Sequence, residues 1–156
     1  KGRRIMSGVK VRYATVAEAR RLVDFNRALA LESEGLALNE TTVSAGVLAV
    51  LAHPERGFYL IAEMDGAPVG CLLVTYEWSD WRNRVFWWIA SHYVKPEMRC
   101  RGVYQAMDEK LQELAAQAGN VCGFRSYVHK DFRSAQDILR SLGMHEKEYL
   151  VFEDML

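Results

Sequence analysis

The stretch 93–104 contains the residues whose types and spacing best suit chemistry. It leaves a strand pattern, passes Arg99, Arg101 and Gly102, and enters an amphipathic helix. Helix N-termini carry unpaired N–H groups and about half a positive charge from the aligned peptide dipoles. Glycine lets the backbone approach an anion, and the two guanidinium groups add full charges. The pattern predicts a site for a pyrophosphate-bearing cofactor; a plain strand-to-helix turn with solvated arginines is the alternative.

Candidate groups for proton transfer lie in three places. They are Glu32 and Glu34 after the first predicted helix, Glu77 and Asp80 near the third predicted strand, and His92 at the end of the fourth. Burial beside an aromatic residue can raise a carboxyl pKa, and histidine titrates near neutrality. Solvated carboxylates, a turn-stabilising aspartate and a buried structural histidine are the alternatives. Glu77, Glu34, His92 and Asp80 are therefore the candidate catalytic residues.

Composition limits the kinds of partner. The 156 residues include 20 basic and 20 acidic side chains, so the formal net charge is zero, which argues against a nucleic-acid-binding surface. No apolar run approaches the roughly 18 residues that span a bilayer. The three cysteines are far apart and form no CxxC pair. We therefore expect a cytoplasmic protein with reduced thiols, no metal and neither nucleic acid nor membrane as a partner.

The hydrophobic periodicity predicts the element order β-α-α-β-β-β-α-β-α-β, an α/β fold with a mixed central sheet flanked by helices. Thr15 and Glu18 form a capping-box pattern before the first helix, and Asp65-Gly66 marks a hairpin turn. Residues 32–36 are predicted as a loop and 145–153 as a final strand. Residues 1–8 are predicted to be an N-terminal extension, partly vector-derived, and 9–156 a single catalytic domain.

The stretch after the fourth strand resembles the acyl-CoA-binding signature of the GNAT superfamily of N-acetyltransferases. Val94, Pro96, Arg99 and Gly102 match at the expected offsets, whereas Tyr104 replaces a small residue. The C-terminal ending is also similar, through Ala135, Leu142, Gly143 and Met144. The loop 77–83 and the Trp-Trp-Ile run 87–89 resemble a bacterial subgroup with a WSDWRN loop.

The resemblance implies an acetyl-CoA-dependent transferase with no resident metal. It implies that the fourth and fifth strands splay apart, with the thioester in the gap. The backbone of His92, Tyr93 and Val94 would line the pantetheine arm. The pyrophosphate would be held by Arg99, Cys100, Arg101, Gly102, Val103 and Tyr104.

The resemblance also implies direct transfer of acetyl to a primary amine of a small molecule or peptide. The acidic groups favour a small cationic acceptor, and homodimers are common in this fold. The family's usual catalytic tyrosine falls on Leu139 and its usual asparagine on Phe132, and neither can donate a proton. A catalytically weak or inactive acyl-CoA-binding sensor is therefore the alternative function.

Overall fold

The structure is a computed structural model that describes residues 8–156. The predicted N-terminal extension, residues 1–8, lies outside the described residues except for Gly8. In the described part of the chain, no helix is both long and apolar enough to cross a membrane.

Five strands form one mixed sheet within residues 8–156. They are β1 (Val9–Tyr13), β2 (Phe58–Met64), β3 (Ala67–Ser79), β4 (Arg84–Val94) and β5 (Val121–Arg125), and their order in the sheet follows the chain. β1 to β4 pair antiparallel, whereas β4 and β5 pair parallel. Parallel strands need a crossover, and the helix between β4 and β5 provides it. The mixed α/β architecture predicted from the sequence is thus confirmed.

Helices cover both faces of the sheet. They are α1 (Ala19–Glu34), α2 (Glu40–Ala52), α3 (Val103–Ala118) and, after β5, α4 (Arg133–Ser141). On one face, Leu22 and Phe25 of α1 and Val47 of α2 are buried in one apolar cluster. On the other face, Met107 and Leu111 of α3 belong to a second cluster. The sheet between them is therefore apolar on both faces. Because helices cover these faces, β4 can open to a ligand only along its edge.

The start of α1 forms as predicted, and its end does not. The Thr15–Glu18 capping box is present, with both side-chain-to-backbone hydrogen bonds made. The helix continues to Glu34, so Glu32 and Glu34 lie on its last turn rather than in a loop. Gly35 ends it in the left-handed conformation (φ 63°), with its N–H bonded to the carbonyl of Leu31. Gly35 therefore ends the helix, because glycine readily adopts the left-handed conformation at a helix C-terminus.

The predicted final strand is wrong. Residues 145–153 form no strand, and β5 ends at Arg125. Tyr149, Leu150, Val151 and Phe152 have strong β-propensity and are 72–90% exposed. A strand also needs a neighbouring backbone to complete its hydrogen bonds, and this segment has none within its own chain's described residues. Local propensity alone therefore did not produce the sixth strand.

An ion-pair cluster at the edge of the sheet predicts a pH-dependent stability. Arg12 bridges Glu18 (2.9 Å) and Glu63 (2.7 Å), and the hydrogen bond from Arg12 lowers the Glu18 pKa to about 2. This stabilisation is complete above the unfolded-state pKa near 4.5 and is lost as pH falls through about 2. Glu18→Gln should therefore lower Tm at pH 7, and the difference from wild type should vanish near pH 2.

Thermal unfolding followed by circular dichroism at pH 7, 5, 3 and 2 checks this expectation. Glu109→Gln removes an exposed carboxylate on α3 and serves as the matched control, with little change in Tm at any pH. A Tm difference for Glu18→Gln that stays constant from pH 7 to 2 would contradict the assigned linkage.

Candidate active site

The sheet opens between β4 and β5. Their parallel pairing ends at Trp88 opposite Arg125, whereas β4 continues to Val94. The last link across the opening is the Ser126 hydroxyl, which donates to the Ile89 carbonyl at 2.9 Å. Beyond that point the side of β4 that faces away from β3 has no strand neighbour among residues 8–156. Its backbone groups there are available to a ligand, except for the Val94 carbonyl, which accepts from Arg99. The predicted splaying of these two strands is confirmed.

A cavity of about 360 Å³ fills this opening. Residues 89–93 of β4 form its floor, the C-terminal half of α1 forms one wall, and residues 126–129 and 132–139 form the other. Arg99 and Tyr104 lie at the end nearest α3. Its volume is in the range of small-ligand sites. The cavity extends from the C-terminal end of α1, which carries Glu32 and Glu34, to the start of α3.

The loop before α3 has the backbone geometry of an anion site. Cys100 (φ 61°) and Gly102 (φ 80°) both adopt left-handed conformations. A non-glycine residue there is uncommon and marks strain, which proteins retain mainly at functional positions. Gly102 is the N-cap and makes no side-chain capping bond, so the first N–H groups of α3 have no side-chain partner at the cap. An anion is the natural acceptor for these groups.

The two arginines of this loop differ in what they contact. The Arg99 guanidinium donates to the Val94 carbonyl (3.0 Å) and to both Glu32 carboxylate oxygens (2.6 and 2.7 Å). The hydrogen bond to Glu32 raises the pKa of Arg99. Arg101 is exposed and takes part in no ion pair among residues 8–156. Arg99 therefore ties the loop to α1, and Arg101 is the cation that remains free.

His92 and Tyr104 meet beneath the loop. Their rings pack edge to face with centroids 4.7 Å apart. The His92 Nε2 atom is buried without a hydrogen-bond partner in the described residues, and burial lowers its pKa to about 4. Burial also raises the pKa of the Tyr104 hydroxyl. Both groups are therefore neutral at neutral pH, which makes His92 a weak candidate for a general base.

The four candidate catalytic residues are not all brought together. Glu34 and His92 line the cavity. Glu77 instead pairs with Arg125 at 2.5 Å, and that guanidinium lies 3.7 Å from the centre of the Phe86 ring. Asp80 lies in the β3–β4 turn, where its carboxylate accepts from its neighbour's backbone N–H. Neither Glu77 nor Asp80 lines the cavity.

A part-buried polar network next to the cavity was missed in the sequence. Asn26 donates to the Tyr59 hydroxyl (3.1 Å) and accepts from the Ser91 hydroxyl (3.1 Å). Asn26 and Ser91 both line the cavity, and burial raises the Tyr59 pKa to about 12. The available signal was an asparagine on the apolar stripe of α1, since a buried amide needs partners. The network fixes side chains on both sides of the cavity floor.

The cavity wall formed by residues 126–129 and 132–139 carries apolar residues at the positions where the family usually has its catalytic tyrosine and asparagine. Leu139 and Phe132 both line the cavity. Tyr127, just after β5, also lines it, and its ring packs on Trp88 with centroids 5.4 Å apart. The Tyr127 side chain therefore lies at the point where the sheet begins to open.

A second cavity of about 400 Å³ lies at the opposite part of the sheet. It is lined by aliphatic residues, Phe58, Pro54, Gly57 and the tyrosines of residues 13, 59 and 76. It contains no carboxylate, histidine or arginine, so the chemistry belongs to the opening between β4 and β5.

A sheet that opens beside an uncapped helix start is an arrangement suited to a phosphate-bearing cofactor. The model of the GNAT acetyltransferase family matches residues 24–144. The chain belongs to this family and is an N-acetyltransferase; enzymes of the family use acetyl-CoA. No curated protein is significantly similar to it in sequence.

Solved structures agree with this assignment. A possible acetyltransferase from Clostridium difficile 630 is 32% identical, with a TM-score of 0.87 over 96% of this chain and 99% of that one. The aminoglycoside N-acetyltransferase AAC(6')-Iy in complex with CoA is 16% identical, with a TM-score of 0.78 over 94% of each chain. The aminoglycoside acetyltransferase meta-AAC0020 from an uncultured soil metagenomic sample, in complex with sisomicin, is 14% identical, with a TM-score of 0.79 over 97% and 99%. The last two are similar in fold.

Proposed function

We propose that this chain transfers an acetyl group from acetyl-CoA directly to a primary amine of a small cationic molecule or peptide. One observation carries the proposal. The cavity beside β4 extends from Arg99 and Tyr104, next to the start of α3, to Ile89 and Ser126, where β4 and β5 part. A cofactor with a diphosphate at one end and a reactive group at the other matches that arrangement.

The residues of the loop fit the diphosphate. The N–H groups of Gly102, Val103 and Tyr104 would bind its oxygens, with Arg101 adding a free positive charge. Cys100 contributes backbone in a left-handed conformation rather than its thiol. The backbone of His92 and Tyr93 would bind the amides of the pantetheine arm, whereas the Val94 carbonyl already accepts from Arg99.

Transfer requires few groups from the protein. Acetyl-CoA supplies an activated acyl thioester when bound. The acceptor ammonium must lose a proton, and Glu34 at the cavity mouth is the carboxylate placed to attract it and to receive that proton. The departing thiol needs a proton, and we assign its donor as the Tyr127 hydroxyl in place of a group on α4.

The chemistry of the acceptor follows from charge. Glu34 lies on the last turn of α1 at the cavity and makes no ion pair among the described residues, so this part of the cavity is anionic, whereas the charge of Glu32 is balanced by Arg99. An anionic mouth concentrates cationic substrates. Two proteins of similar fold are named as aminoglycoside acetyltransferases, and aminoglycosides are polycationic amines. We therefore propose a polyamine-like acceptor.

The alternative is a protein that binds acyl-CoA without turnover. The apolar Leu139 and Phe132 at the cavity wall favour it. An assay of free thiol release separates the two functions, using acetyl-CoA with a panel of aminoglycosides, polyamines and peptides. We expect thiol release that depends on a cationic amine. Binding of CoA with no release across the panel would identify the sensor, and no binding of CoA would overturn both.

The bridge between Arg99 and Glu32 predicts an effect on cofactor affinity. Glu32→Gln should free the guanidinium for the phosphates and tighten CoA binding about three-fold, as expected for a partly exposed ion pair. Titration calorimetry measures it, and Glu97→Gln removes an exposed carboxylate near the loop as a control without effect. Weaker binding by Glu32→Gln would instead mean that the bridge holds the loop in its binding form.

A further inference from the structure

The hydrogen bonds of Asn26, on α1, determine which way its side-chain amide faces. The amide nitrogen donates to the Leu22 carbonyl at 2.9 Å and to the Tyr59 hydroxyl at 3.1 Å. A carbonyl oxygen can only accept, so the Asn26 nitrogen must be the atom that faces Leu22. Both amide hydrogens are therefore used, and the Asn26 oxygen faces Ser91 of β4.

The Ser91 hydroxyl is held as a hydrogen-bond acceptor toward the cavity. The Asn26 oxygen cannot donate, so the 3.1 Å hydrogen bond between the two side chains uses the single Ser91 proton. Turning that proton toward the cavity would leave the part-buried Asn26 oxygen without a partner, which costs free energy. Ser91 lines the cavity and offers it only the lone pairs of Oγ, so a bound molecule must meet Ser91 with a donor.

The position of Ser91 indicates which donor it meets. Ser91 is close in the chain to Ile89, whose carbonyl marks the point where β4 and β5 part. Its side chain bonds to α1, the wall that also carries Glu34. The pantetheine amides are assigned instead to the backbone of His92 and Tyr93. The Ser91 oxygen therefore lies on the α1 side of the cavity, where Glu34 is proposed to attract the amine.

We infer that the Ser91 Oγ atom accepts a hydrogen bond from an N–H of the acceptor amine, and that Asn26 is the positioning residue that keeps Ser91 in this role. The inference rests on the proposed function and narrows the class of acceptor. A primary ammonium carries three N–H donors, so it can donate to Ser91 and still give a proton to a base. A quaternary ammonium has the same charge but no N–H, so it cannot make this contact.

Binding of amines to the full chain tests the inference without turnover. Titration calorimetry, with and without CoA, would use spermidine and sisomicin as amine probes and fully methylated, quaternary spermidine as the probe without N–H. Ser91→Ala should weaken binding of the amine probes about ten-fold, as for one lost hydrogen bond to a charged group. It should leave the affinities for CoA and the quaternary probe unchanged. Thr75→Val removes a part-buried hydroxyl from β3 outside the cavity and is the matched control, without effect on any probe.

A double-mutant cycle tests the role of Asn26. Asn26→Leu removes the oxygen that holds the Ser91 proton, so it should lower the preference for spermidine over the quaternary probe. In the Ser91→Ala background the same substitution should change that preference no further. A structural role alone would not produce this coupling, and additive effects of the two substitutions would overturn the role of Asn26.

The remaining outcomes separate this inference from the proposed function. Wild-type affinity of Ser91→Ala for the amines, a loss shared equally by the quaternary probe, or a wild-type chain that binds neither amine would each overturn the inference. A chain that binds amines through Ser91 but releases no thiol from acetyl-CoA would support the inference and overturn the proposed transfer.

Discussion

The Gly102→Val variant is expected to bind CoA about 100-fold more weakly than the wild-type chain. Gly102 caps α3 at φ 80°, where a β-branched residue is a severe outlier. Relieving that strain rotates the peptide planes whose N–H groups are proposed to bind the diphosphate. Each hydrogen bond to a charged group contributes at least about 1.5 kcal/mol, so losing two of them at this lower end costs about 3 kcal/mol, which is roughly 100-fold in affinity.

Gly119→Val is the matched control for this variant. Gly119 ends the same helix at φ 76°, and a Cβ there meets no atom within 4 Å. Both variants should therefore lose about 1–2 kcal/mol of unfolding free energy, whereas only Gly102→Val should lose CoA affinity in calorimetry. Equal loss of affinity in both would mean that the effect comes from strain in the helix and not from the anion site.

The second large effect is expected for Tyr127→Phe. If this hydroxyl protonates the departing thiol, its removal should lower kcat about 100-fold, the lower end for a general acid because a thiolate leaves readily. The ring remains to pack on Trp88, so the fold and the CoA Kd should be unchanged. Steady-state kinetics together with a CoA titration measure the two quantities separately.

Tyr76→Phe controls for the loss of a tyrosine hydroxyl near the sheet. Tyr76 lines the second cavity and not the one at the opening, so its variant should retain wild-type kcat. A Tyr127→Phe enzyme with kcat within two-fold of wild type would show that the thiolate leaves without help from this residue.

Most of the fold could be predicted because local signals and tertiary packing agree. The Thr15–Glu18 capping box, the Asp65-Gly66 turn and the stripe on α3 each specify an element that also buries apolar area. The segment 145–153 shows the limit. Its β-propensity is strong, but a strand depends on a partner that sequence pattern cannot locate, and the segment pairs with no strand among residues 8–156.

The site could be predicted only where backbone chemistry determines it. Gly102 and the helix start identify the anion loop from sequence spacing. Arg99 was assigned to the phosphates, yet it is bonded to Glu32, which is 67 residues away in the chain. Glu77 is likewise paired with Arg125, 48 residues away, and does not reach the cavity. The Glu77–Arg125 pair is set by the register of the sheet, and the Arg99–Glu32 pair by the packing of α1 against the loop before α3. A single sequence reveals neither.

The central claim is that main-chain N–H groups at the start of α3 bind a diphosphate beside an opened sheet. Amide ¹H–¹⁵N spectra recorded during titration with CoA test it most directly. The account predicts that the largest shifts occur at Gly102, Val103 and Tyr104, with a second set along β4 at residues 91–94. Saturating CoA that leaves these amides unmoved, or that shifts a different part of the chain, would contradict it.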